Sequence, residues 1–218
     1  EGVLRQRLGQ DITLHPVQYG EEHWLGQCRV SFHSAGHVLG SAQIRLEVDG
    51  EVWVVSGDYK RDADPSCDPF ETVPCDVLIT EATFGLPIYR WQTGAEVAEE
   101  IRDWWQSDRQ RPSLLFCYAF GKAQRLMAEL NAIGVDDEVL LHGAVETGTR
   151  HYRAAAVPMT PSRPVSDLPR SDNLAGRLVL APPSAHRSSW MRRFCCPQTG
   201  SASGWLAVRG ARRRRGHA

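Results

Sequence analysis

The chain holds no apolar run of membrane-spanning length, and no signal-peptide pattern opens it, so nothing in it reads as a transmembrane helix. None of its six cysteines (Cys28, Cys67, Cys75, Cys117, Cys195 and Cys196) belongs to a C-x-x-C pair, and the adjacent Cys195 and Cys196 suit neither a zinc cage nor a structural disulfide. Cys28 and Cys117 lie in apolar, strand-like runs, where buried free thiols are expected. This usage predicts a reducing, cytoplasmic protein. Acidic residues are absent from Asn173 to Ala218, a stretch with nine arginines, while residues 1–172 carry a net charge of −10. A basic end on an acidic body suits a polyanion such as nucleic acid, although a solvated arginine-rich face or a disordered end would have the same composition. There is no internal repeat. The first residue is Glu1, not Met, and the next few residues read as mid-domain sequence, which leads us to expect a missing N-terminus.

What is present is ordinary globular composition: 218 residues, 42% apolar and 23% charged, enough for one large domain or two small ones. Val30 to His33 reads as a strand, interrupted by the glycine-containing stretch Ser34 to Ser41. Gln43 to Val48 alternates apolar and polar residues, Asp49-Gly50 is a hairpin turn, and Val52 to Val55 returns, ending in Ser56-Gly57-Asp58. After a polar loop from Arg61 to Pro74 comes a buried-type strand, Val77 to Ile79, which also ends on an acid, Glu81. Beyond Gly85 the rhythm changes. Val97, Ile101, Trp104 and Trp105 predict a helix over 95–106. A strand at Leu114 to Phe116, a helix through Leu126, Met127, Leu130 and Ile133 stopped by Gly134, and a strand at Val139 to Leu141 come next. A proline-rich linker spans Val157 to Pro169, and Leu178 to Ala181 and Trp205 to Val208 read as strands. Alternating strands and helices predict a separate α/β layer.

Two-metal hydrolysis needs neutral imidazoles and carboxylates converging from several loops. His37 and Asp58 each follow a strand in a glycine-containing turn that permits close approach. From the residues alone, a structural histidine and a turn aspartate explain the same pattern.

The strings Ala35-Gly36-His37-Val38-Leu39-Gly40-Ser41-Ala42, Ser56-Gly57-Asp58-Tyr59 and Thr80-Glu81-Ala82-Thr83-Phe84-Gly85 together resemble the β-CASP nucleases of the metallo-β-lactamase fold. Tyr118 to Arg125 looks like the start of the family's cap-domain helix, and Gly50 to Lys60 with Phe84 to Trp91 is similar to the bacterial ligase-associated DNA exonucleases. The resemblance covers most of the chain and is weakest from Val157 to Asn173. It implies an α/β protein: a partial metallo-β-lactamase αββα sandwich, residues 1–87, with an inserted β-CASP α/β cap domain, residues 88–218. It implies two divalent metal ions, zinc or alternatively manganese, with His37 a ligand of one ion and Asp58 bridging both and orienting the attacking hydroxide. Glu81 would be the acid that holds a leaving-group histidine. The function implied is a DNA exonuclease acting in repair with a DNA ligase as partner, or an RNA-processing relative of the same fold; a non-catalytic nucleic-acid-binding remnant is the further alternative.

The departures are as informative. The family's first metal motif, H-x-H-x-D-H, is absent from the chain, and so is its later S-[AD]-H-[AT]-D motif. Leu140-Leu141-His142-Gly143 mimics a further family motif, an apolar strand ending in H-G, but upstream of its expected position, so His142 is left out of the metal site. We therefore expect a fragment cut at both ends, with weak metal binding and no nuclease activity by itself. Lys122 and Arg125 open a helix and, with Arg212, Arg213, Arg214 and Arg215, are candidate phosphate contacts. Tyr89, Trp91, Trp104 and Trp105 could stack on bases, with core packing the commoner role for the helical pair.

Overall fold

Asp49 and Gly50 both adopt positive φ, 51° and 83°, the geometry that lets a two-residue turn follow strand twist. They join β3 (Ala42–Val48) to β4 (Glu51–Val55), with Val48 paired to Glu51. β3 also pairs antiparallel with β2 (Cys28–Ser34), which in turn pairs with the short β1 (His23–Leu25). β5 (Val77–Ile79) lies parallel to β4 and closes a five-stranded sheet in the order β1-β2-β3-β4-β5. A short helix α1 (Gly2–Leu8) precedes it. The computed structural model describes residues 2–86, 88, 91–194, 198–202 and 205–209.

Cross-strand partners share a face. Val30, Leu46, Trp53 and Val77 are therefore on one side, together with Phe32, Ile44, Val55 and Ile79. That side is apolar, yet Trp53 is 40% exposed, Val48 41% and Ile79 49%. The opposite side carries Ser31, His33, Gln43 and Val54, and there Ser31, Gln43 and Val54 are buried.

Contacts divide the chain into Glu1–Trp91, which holds this sheet, and Gln92–Ala218. The second unit is built on β6 (Ser113–Phe116), β7 (Val139–Leu141), β8 (Ser162–Pro164), β9 (Leu178–Ala181), β10 (Gln198–Ala202) and β11 (Trp205–Arg209). Their order is β10-β11-β6-β9-β7-β8, with β6, β9, β7 and β8 parallel and β10 and β11 antiparallel at one side. All residues of β6, β7 and β9 are buried, which explains why these strands read as unbroken apolar runs rather than alternating ones. Against the sheet pack α2 (Gly94–Gln106), α3 (Lys122–Ala132) and α4 (Gly143–Ala154), which bury Ile101, Trp105, Met127, Leu130 and Tyr152. Thr93 starts α2 with a reciprocal capping box to Glu96. A further core of Phe116, Val165, Leu168, Leu174, Met191 and Phe194 fastens the segment after β8.

Besides α1, β1 and β10, which had no expected counterpart, three further features differ from the sequence reading. The proline-rich linker supplies β8, where Pro164 is tolerated because the strand is the sheet's edge. Helix α3 ends at Ala132, with Ile133 already outside it and Gly134 at φ 78°. Helix α4 had no expected counterpart, because half of its buried residues are small or polar: Gly148 and Thr149 beside Val145 and Tyr152. Among the described residues no helix is long and apolar enough to cross a membrane.

Candidate functional site

Strand direction gathers the motif residues. β2 and β4 are each antiparallel to β3, and β5 is parallel to β4. The C-terminal ends of β2, β4 and β5 therefore share one sheet edge, and from these ends the chain leads to His37, Asp58 and Glu81. His37 Nε2 lies 4.0 Å from Asp58 Oδ2, with both side chains open to solvent, 43% and 76% exposed.

The turn carrying His37 is tightly specified. Gly36 has φ 66°, and a Cβ there would meet the Lys60 carbonyl oxygen at 2.3 Å and the Phe70 nitrogen at 2.9 Å, so the position demands glycine on two counts. Lys60 N donates to Ala35 O at 2.9 Å and Glu71 N to Ser34 O at 3.0 Å, which seats residues 60–71 against the turn. Ser41 Oγ accepts from the amides of His37 and Val38, both at 3.1 Å. The Lys60 ammonium donates to the carbonyls of Asp62 and Ala63 and lies 3.8 Å from the buried Asp64 carboxylate.

Beneath this edge is a group that the sequence reading missed. His33 Nδ1 is 2.8 Å from Glu71 Oε1, and its Nε2 is 2.9 Å from Ser31 Oγ. Ser31 is only 2% exposed, so this trio ties the 60–71 loop to β2 rather than presenting a nucleophile. A one-in-two alternation of Ser31 and His33 was the sole local signal, and it does not identify Glu71.

Glu81 accepts from Thr83 N at 2.7 Å. Backbone and hydroxyl hydrogen bonds from Thr83, then the His37 charge, hold its carboxyl below the usual range. Among the described residues no histidine is hydrogen-bonded to Glu81.

As metal ligands, His37 and Asp58 have suitable chemistry, and 4.0 Å is close to the roughly 3.4 Å that separates two tetrahedral ligands with bonds of about 2.1 Å. They form a partial set only: among the described residues no group of three His, Cys, Asp or Glu side chains converges to hold a metal ion.

In the second unit Lys122 is the first residue of α3, its ammonium 5.8 Å from the centre of the exposed Tyr118 ring. Arg125 lies one turn on, 3.8 Å from Glu129. His142 caps α4, its Nδ1 accepting from Ala144 N at 3.0 Å while its ring packs edge-on against Trp190. These contacts tie its ring to the start of α4 and to Trp190. Trp105 is core, with Nε1 donating to Gly176 O at 2.8 Å, whereas Trp91 is exposed beside Phe84. Arg212, Arg213, Arg214, Arg215 and Tyr89 lie outside the described residues.

No protein-family model matches the chain. It is 32% identical over 215 residues to "Probable DNA ligase" of Opitutus terrae, a match covering 96% of the chain and 20% of that protein. It is 31% identical over 122 residues to "RNase J-like protein" of Methanocaldococcus jannaschii, covering 53% of the chain and 28% of that protein. To "Endoribonuclease YSH1" of Eremothecium gossypii it is 34% identical over 120 residues, 54% of the chain and 16% of the relative. The chain thus spans between about a sixth and just over a quarter of these relatives. Among solved structures, a protein of unknown function from Enterococcus faecalis V583 shares the fold, with a TM-score of 0.51 at 9% identity over 78% of the chain and 45% of that structure.

Proposed function

From the premise that the chain is a homologue of the metallo-β-lactamase β-CASP nucleases, we propose that it is part of a metal-dependent phosphodiesterase, a cytoplasmic DNA exonuclease that works with a ligase in repair. The observation that carries this reading is the 4.0 Å approach of His37 to Asp58 on the edge where the three motif-bearing strands end. The first unit is then part of the catalytic core, residues 1–87 in the sequence reading, and the second, residues 88–218, the cap. The apolar, half-exposed sheet face fits this assignment, since such a face belongs inside a layered sandwich.

When bound, a pair of divalent ions, zinc or alternatively manganese, supplies an activated water and neutralises charge on the phosphoryl group. The chain's own residues orient. His37 is held on a glycine-specified turn, Asp58 offers two carboxylate oxygens at the same edge, and Glu81 stays ionised through its Thr83 hydrogen bonds. The partial ligand set means that, in this reading, the remaining donors come from other parts of the whole protein. Lys122 and the arginines at 125 and 212–215 contribute phosphate contacts.

An RNA substrate is the second reading, favoured by the names of the RNase J-like and YSH1 relatives. The test compares the whole protein, its His37→Ala and Asp58→Asn variants and the 218-residue chain for metal content and for degradation of matched single-stranded DNA and RNA. Degradation of DNA by the whole protein alone, lost with metal in both variants, supports the proposal. Preference for RNA moves the assignment to the second reading. Stoichiometric metal binding and cleavage by the 218 residues alone overturns this account of the site.

A further inference from the structure

The turn that presents His37 is held from outside by a residue that no motif contains. Tyr19 lies 22 positions before Ser41 in a segment outside the sheet, which is fastened by the 2.8 Å bond from Gly20 N to Phe32 O. Its hydroxyl donates to the Ser41 carbonyl at 2.9 Å. The same carbonyl accepts from Ala35 N at 3.0 Å, and Ser41 N returns a bond to Val38 O at 2.9 Å. Ser41 Oγ meanwhile accepts from the amides of His37 and Val38. Ser41 is thus the hub of the turn: the amides of Ala35, His37 and Val38 all donate to it, just before β3 begins. Tyr19 is the only group from another segment seen to bond to that hub among the described residues.

The loop needs such an anchor. Gly36 and Gly40 have φ of 66° and 74°, and glycine-rich backbone is the most costly to immobilise. His37 itself is 43% exposed in its side chain, so packing does little to orient it. We propose that Tyr19 is a positioning residue: through Ser41 it sets where the His37 imidazole stands relative to Asp58. The inference rests on the reading of His37 as a metal ligand, and it assigns a task to a residue distant from the motif.

The experiment uses the full-length protein and zinc as the probe. Tyr19→Phe removes one hydroxyl and keeps the ring; Ser41→Ala removes the acceptor of the two amides; His37→Ala removes the ligand. Zinc affinity is measured by competition with a chromogenic chelator, and exchange of the His37 and Val38 amides is followed in the metal-free protein. Tyr19→Phe is expected to weaken zinc binding and to speed exchange of both amides by about three- to tenfold, the factor that one neutral hydrogen bond contributes. Ser41→Ala should do the same or more, while the global unfolding midpoint of Tyr19→Phe stays near that of the wild type. Unchanged zinc affinity in Tyr19→Phe, when His37→Ala binds zinc poorly, overturns the inference whatever the amides do. If His37→Ala binds zinc as tightly as the wild type, the ligand reading fails instead. Amide exchange then still reports whether Tyr19 holds the turn.

Discussion

The carbonyl oxygen of Lys60 stands 2.3 Å from the position a Cβ would take on Gly36. One backbone therefore occupies the space that any side chain at 36 would need, immediately before the residue that carries the candidate imidazole. Gly36→Ala adds the cost of a left-handed conformation, about 1–2 kcal/mol, to a clash that only backbone movement relieves. We expect a loss of at least ~2 kcal/mol in chemical denaturation of the whole protein, together with weakened metal binding.

His142 predicts a pH dependence. Burial pushes its imidazole below the ordinary histidine range, and its Nδ1 must be unprotonated to accept from Ala144 N. In the window between the lowered folded pKa and the unfolded value of about 6.5, the unfolded chain binds more protons. Stability from this group is therefore complete above about pH 6.5 and falls as pH drops through the window. His142→Asn retains a capping acceptor and should flatten that part of the stability profile. His142→Ala should cost about 0.5–2 kcal/mol at neutral pH. Thermal unfolding between pH 5 and 8 would decide.

Cys117 should be inert in the native state. Burial pushes its thiol up to about 12, only partly opposed by Lys122, and the thiolate is the reactive form. With a limiting alkylating reagent at neutral pH, peptide mapping should find Cys75, which is exposed, modified well before Cys117. Modification of Cys117 should require unfolding.

Lys122 and Arg125 separate two kinds of contact. If both meet phosphates, each alanine variant lowers affinity on every sequence alike and reduces the salt slope by about one unit. Arg125 lies 3.8 Å from Glu129, so part of the effect of its loss should come from that ion pair rather than from phosphate. Salt titrations of binding by the whole protein with mixed-sequence single strands would measure both.

Much of the architecture was legible because it is local. The Asp49-Gly50 turn, the helix at Val97 to Trp105 and the buried runs at Leu114, Leu140 and Leu178 are written in neighbouring residues, whose spacing matches the period of the element they form. Where the signal is not hydrophobic the reading failed. Helix α4 buries Gly148 and Thr149, and β8 was hidden by the prolines that its edge position tolerates. The candidate site was legible only through its motif strings, since a lone histidine and a lone aspartate after strands have several uses.

The sequence by itself determined the strands and helices that carry a hydrophobic period, where the two units divide in character, and which motif glycines, histidines and acids merit attention. Only the tertiary structure decided that His37, Asp58 and Glu81 share an edge, that His142 caps a helix, and that His33 pairs with Glu71 across 38 positions. The reason is physical. Periodicity records whether a residue faces inward, a property each segment carries alone. Convergence depends on strand direction and register, which are set by cooperative pairing between segments far apart in the chain, and on a turn whose shape is fixed by the backbone that packs against it.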